Sequence, residues 1–83
     1  MNAILPSPPI ALSHLACGMR ATIIDLHTDD ALRQRLQALG LRPGKQVEVI
    51  RRARFGGPLQ VRVGATDVLL RLSEAAHIEV IAA

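Results

Sequence analysis

Eighty-three residues with a net charge of +3 and 49% hydrophobic side chains make one domain with a modest core, because small chains bury a smaller share of their surface. That hydrophobic share excludes a chain disordered throughout, and no apolar run approaches the ~20 residues of a membrane-spanning helix. Phe55 is the only aromatic residue, so the core is expected to be aliphatic, built from Leu, Ile, Val and Ala.

Residues 1–11 are rich in Pro, carry no charged side chain and are expected to form a flexible arm ahead of a folded domain over 12–83. Leu12 to Gly18 suits a single turn. Met19 to Leu26, with its β-branched residues, predicts a strand. Thr28, Asp29 and Asp30 then offer a helix N-cap and negative charge at a helix start. Leu32, Leu36 and Leu39 follow at i, i+4 and i+7, one apolar stripe on a helix of about three turns. Leu39-Gly40-Leu41-Arg42-Pro43-Gly44 ends the helix: Gly40 suits a left-handed C-cap, and Pro43 blocks continuation. Strands are expected over Lys45–Arg52, Leu59–Val63, Asp67–Leu72 and Ile78–Ile81. Phe55-Gly56-Gly57-Pro58 and Gly64-Ala65-Thr66 are the turns, and Ser73–Ala76 is one helical turn. Five short strands, one inserted α-helix and a short helical turn before the last strand suggest a mainly β, closed or partly closed small barrel, which hides strand edges.

Leu39-Gly40-Leu41-Arg42-Pro43-Gly44, Val47-Glu48-Val49, Phe55-Gly56-Gly57-Pro58-Leu59, Leu70-Arg71-Leu72-Ser73-Glu74-Ala75 and Ile78-Glu79-Val80, in this order and spacing, resemble the FeoA family from about Leu12 to the C-terminus. The resemblance implies an SH3-like barrel, similar also to the C-terminal domain of DtxR-type metal-dependent repressors. It further implies a cytoplasmic accessory role in bacterial ferrous iron uptake and a partnership with the cytosolic domain of FeoB, a GTP-binding permease. The chain would then meet a membrane only through that partner. One departure is Arg54, which stands where the family often has Pro, and which adds charge to the loop.

Two surfaces are candidates for partner binding. One is the helix face opposite the leucine stripe, with Arg33, Arg35 and Gln37. The other is Arg51, Arg52, Arg54, Phe55, Gly57 and Pro58. Aromatic and Arg side chains are over-represented among interface hot spots. Phe55 has an alternative, which is to fold back as the lone aromatic of the core. Nucleic acid is not an expected partner. The basic excess is mild, no aromatic platform accompanies the arginines, and the single helix has no helix-turn-helix companion.

The metal candidates are His14 and Cys17 at chelating spacing, His27 near Asp29 and Asp30, and His77 with Glu79, alternate residues expected to share one face of an extended segment. A tetrahedral site needs four ligands, and a second Cys pair is absent from the sequence. No cofactor is therefore required, although exposed His and Cys side chains can collect Fe2+ or Zn2+ between molecules. A single cysteine excludes an internal disulfide and fits a reducing compartment. The Pro-broken stretch before Ala16-Cys17-Gly18, lacking a basic segment, does not fit a signal peptide. No catalytic pattern or phosphate loop is evident, so an enzyme is not expected. The alternatives to a permease-binding adaptor are a small metal-binding or metal-bridged protein and a repressor-like regulatory module. The oligomeric expectation is a monomer or a weak homodimer.

Overall fold

Aliphatic side chains alternate with polar ones along each long strand, and the strand register turns that alternation into one interior. The computed structural model describes residues 8–82. In chain order they form β1 (Ile10–Ala11), a 3-10 turn (Leu12–His14), β2 (Arg20–Leu26), α1 (Asp30–Ala38), β3 (Gln46–Arg52), β4 (Leu59–Val63), β5 (Thr66–Leu70), α2 (Leu72–Ala75) and β6 (Ile78–Ala82). The strands pair antiparallel in one sheet, in the order β1-β6-β2-β3-β4-β5. The expected mainly β architecture is present, with six strands rather than about five. The additional strand is β1: Ile10 and Ala11, placed by composition in the Pro-rich arm, pair with Val80 and Glu79. Two paired residues beside a Pro run carry no readable period, so only the sheet reveals them. Residues 1–7 of the expected arm lie outside the described residues. Among the described residues the ladder does not close between β1 and β5, so the sheet is open.

The core is aliphatic throughout. Ala21, Ile23 and Leu26 of β2, Val47 and Val49 of β3, Leu59, Val61 and Val63 of β4, Val68 and Leu70 of β5, and Ile78 and Val80 of β6 all point inward. Two register shifts keep charged residues out of it. In β2 the ladder slips between Ile23 and Asp25, so Leu26 rather than Asp25 takes the next buried position. In β3 it slips between Val49 and Arg51, which turns Arg51 outward and sets Arg52 opposite Leu59 at the strand end, where its guanidinium reaches the Leu15 carbonyl and remains exposed. Each shift adds one residue to its strand and so reverses the inward and outward phase beyond it, as a β-bulge does.

The helix is built as expected at its start and ends one residue before the third leucine. Asp29 caps it, its carboxylate accepting from the Leu32 N–H at 2.9 Å. At the other end the Leu41 N–H donates to the Leu36 carbonyl and the Gly40 N–H to that of Gln37. This is the Schellman pattern, which requires a left-handed residue at Gly40; its φ is +95°. Leu36 and Leu41, bracketing the motif, are both fully buried, and Leu32 packs against the core at partial burial. Leu39 is the C-cap and is exposed, so the third residue of the predicted stripe lies outside the core. Its place is taken by Leu41, which the reversal at Gly40 swings inward.

Leu36→Ala is expected to destabilise the protein by about 2–5 kcal/mol, the cost of an aliphatic cavity. Leu39→Ala, at the exposed C-cap, is expected to cost under ~1 kcal/mol. Urea unfolding of the two variants beside the parent checks this contrast.

Candidate partner-binding site

The segment between β3 and β4 reverses the chain in a tight turn. The Gly57 N–H donates to the Arg54 carbonyl at 3.2 Å, and below it the Ala53 N–H donates to the Pro58 carbonyl at 3.1 Å. Phe55 and Gly56, the two central residues, have φ of +58° and +74°. Two positive φ values mark a type I′ turn, in which Asn-Gly is the favoured pair. A bulky side chain in that region is strained by roughly 1–2 kcal/mol. Phe55 nevertheless occupies it, and its side chain is 100% exposed. The alternative in which Phe55 completes the core is thereby excluded. Gly57 is needed for space rather than for backbone freedom. A Cβ there would lie 2.7 Å from the Ala53 Cβ, so the turn closes only over a residue without a side chain.

The arginines separate into two groups. Arg51 and Arg54 are exposed and form no ion pair among the described residues. Arg52 is committed to the fold, its Nη2 donating to the Leu15 carbonyl at 2.6 Å. The helix face expected to dock a partner is also engaged internally. Arg33 donates to the Thr28 carbonyl at 3.2 Å. Arg35 pairs with Glu74, the one buried charged residue among the described residues. Of the proposed contact residues, Arg51, Arg54, Phe55 and Pro58 stand together on one exposed loop and its strand end.

Arg71 was not singled out by sequence. A shallow groove is lined by Gly56, Gly57, Pro58, Arg71, Leu72 and Ser73, and it carries the basic surface from the loop to the start of α2. Only strand pairing brings them together, since Leu70 lies opposite Leu59. No local pattern in the sequence signals it.

The candidate metal ligands are not gathered. His14 and Cys17 are exposed, and the Cys17 thiol donates to the Ile50 carbonyl at 3.1 Å. His77 lies in the turn before β6 rather than in an extended segment, so it does not alternate with Glu79 as expected. Glu79 instead meets His27, Nε2 to Oε1 at 2.9 Å, with Asp25 Oδ2 at 3.9 Å. Among the described residues no group of three or more His, Cys, Asp or Glu side chains is arranged to hold a metal ion. The Glu79 hydrogen bond raises the His27 pKa above its ordinary 6.5, and the Asp25 charge adds to it.

The outer face of the sheet carries a row of alternating charge across four strands: Arg20, Glu48, Arg62 and Asp67 stand opposite one another in turn. Arg62 Nε reaches Asp67 Oδ1 at 2.7 Å, and that bond with the guanidinium holds the Asp67 carboxyl below its ordinary value.

A six-stranded antiparallel sheet with an inserted helix and a short second helix before its last strand is a small, mainly β, SH3-like domain. Residues 10–82 match the family model of the FeoA domain, and the chain belongs to the FeoA family. FeoA from Stenotrophomonas maltophilia, solved in complex with zinc, is 38% identical over 83% of this chain and 86% of that one, with a TM-score of 0.69. It is described as a procaryotic SH3 domain protein and a candidate ferrous iron transport activating factor. The FeoA protein of Chlorobium tepidum is 34% identical over 88% of this chain and 70% of that one, at a TM-score of 0.82. A manganese-dependent transcriptional repressor, 21% identical over 96% of this chain and 44% of that one, shares the fold at a TM-score of 0.84. No curated protein sequence matches the chain.

Two outcomes follow from the site's geometry. Phe55→Asn is expected to stabilise the fold by about 1 kcal/mol, because Asn tolerates the left-handed turn position; thermal unfolding reads it. For His27, a pKa raised by folding gives a stabilising contribution fully present below pH 6.5 and lost as pH rises through the raised value. NMR titration of the His27 ring should show the raised pKa, and Glu79→Gln should return it toward 6.5.

Proposed function

We propose that this chain is a non-catalytic cytoplasmic accessory of ferrous iron uptake that docks on the cytosolic GTP-binding domain of a FeoB-type permease. The observation that carries this reading is the Phe55 loop. A lone aromatic held fully in solvent, in a backbone conformation that costs it energy, has no structural compensation among the described residues. Local strain without a folding benefit is characteristic of functional positions. Membership of the FeoA family and the description of the S. maltophilia relative support the pathway.

In this reading Phe55 is the apolar anchor, and Arg51 and Arg54 meet acidic groups around it. Unpaired arginines keep their full bidentate capacity for carboxylates. Gly57 and Pro58 hold the loop's shape. The domain alters the permease by preferring one conformation of its cytosolic domain, since a binder shifts an equilibrium only by its differential affinity. This reading requires no cofactor.

Interferometry with the permease's isolated cytosolic domain, in GTP-bound, GDP-bound and nucleotide-free states, tests the proposal. The parent chain should bind in at least one state. Phe55→Ala should weaken binding roughly 30-fold, the scale of a hot-spot residue. Arg54→Glu should also weaken it and flatten its salt dependence. Absence of binding by the parent chain in every nucleotide state would overturn the reading.

A further inference from the structure

β5 is a sheet edge. It pairs with β4 and makes no comparably extensive contact with any other element among the described residues. The two-residue loop Gly64-Ala65 joins the strands, Val63 stands opposite Thr66, and Gly64 has φ of +61°. In such a hairpin the residues flanking the loop exchange both their hydrogen bonds, and bonded pairs then recur at every second residue. Thr66, Val68 and Leu70 therefore bond to β4. The N–H and C=O groups of Asp67 and Leu69 point away from it, and no partner for them is found among the described residues. Sheet edges are ordinarily blunted by Lys, Pro or an inward charge. The stretch Thr66-Asp67-Val68-Leu69-Leu70 has no Lys or Pro, and its one charge is held by Arg62 on the outer face. Within it Leu69 is 68% exposed, the most exposed large aliphatic side chain among the described residues.

We infer that β5 is a self-association edge, joining a second copy of this chain as an antiparallel β5–β5 pair across a two-fold axis at Val68. That register sets Asp67 of each copy opposite Leu69 of the other. It is the register in which all four outward-facing residues of the two strands bond at once, forming four new backbone hydrogen bonds. A second copy fits this edge because both strands bring the same set of donors and acceptors. Leu69 and its counterpart become diagonal neighbours on the same face, within reach of each other. The arrangement opposes no like charges directly, and Arg62 already neutralises Asp67 within each copy. The edge is only five residues long, so the dimer is weak and depends on concentration.

Sedimentation equilibrium of the full chain from micromolar to millimolar should show the mass rising toward that of a dimer. Leu69→Pro removes an outward N–H that β4 does not use, and it should hold the protein at monomer mass throughout. Leu69→Glu, which keeps the backbone donor and sets a carboxylate opposite Asp67 of the other copy, should do the same if the Pro variant does not fold. Hydrogen exchange gives the residue-level signature. The Asp67 and Leu69 amides should exchange fast in dilute solution and slow severalfold as the dimer fills, with the Val68 amide protected at both concentrations. A parent chain that stays monomeric at millimolar concentration overturns the inference. So does a dimer that survives in a folded Leu69→Glu protein, or concentration-dependent protection that falls outside β5.

Discussion

Glu74 sits in the interior at 7% exposure, and its carboxylate must be satisfied there or the fold carries an uncompensated charge. Two groups meet it. One is the Arg35 guanidinium from α1, and the other is the Arg71 backbone N–H at 2.9 Å, which opens α2. A single side chain thus ties the two helices together across 39 residues of sequence. The consequences spread from there. Arg35 commits one guanidinium nitrogen to this pair while its side chain stays 59% exposed. The four-residue α2, too short to be stable on its own, is fixed at its first turn. The start of α2 then forms one wall of the groove whose other wall is the Gly56–Pro58 loop.

The second constraint is the absence of aromatic rings from the core. Leucine, isoleucine, valine and alanine fill the space between the strands and under the helices, and each strand supplies them at alternate positions. A chain of this size has little apolar surface to spare. Yet its largest apolar side chain is placed in solvent on a turn that disfavours it. Folding alone would exchange that residue for Asn and gain stability. The sheet also leaves an uncapped edge on β5. Both features are costs to an isolated domain and benefits to one that works by contact.

Much of the fold was legible in sequence because its signals are local. Asp29 as a cap, Gly40 as a helix stop, the alternation of β3 and β4, and the Gly-Gly-Pro turn all act over a few residues. What remained hidden depends on partners distant in the chain. β1 has two residues and exists only against Val80 and Glu79. Leu39 and Leu41 exchange places because a left-handed residue between them reverses the chain. The bulges that turn Asp25 and Arg51 outward leave no mark in the periodicity. For the site, the loop's composition pointed to Phe55 and its arginines, but not to which arginines were free. Arg35 and Arg52 look equivalent to Arg51 and Arg54 in sequence. They differ by a buried carboxylate and a carbonyl contributed from remote segments.

With no Trp or Tyr in the chain and one Phe at the outermost point of a loop, the protein's only benzene-ring chromophore lies in water, far from any packed environment. Its near-ultraviolet circular dichroism should be almost featureless in the native state, a spectrum usually taken as a sign of lost tertiary order. Here that silence is a property of a well-packed protein. The same isolation makes the Phe55 ring a built-in reporter: any ellipticity or ring-current shift that appears in it arises at the loop tip, and unfolding of the aliphatic interior passes without a trace in that signal.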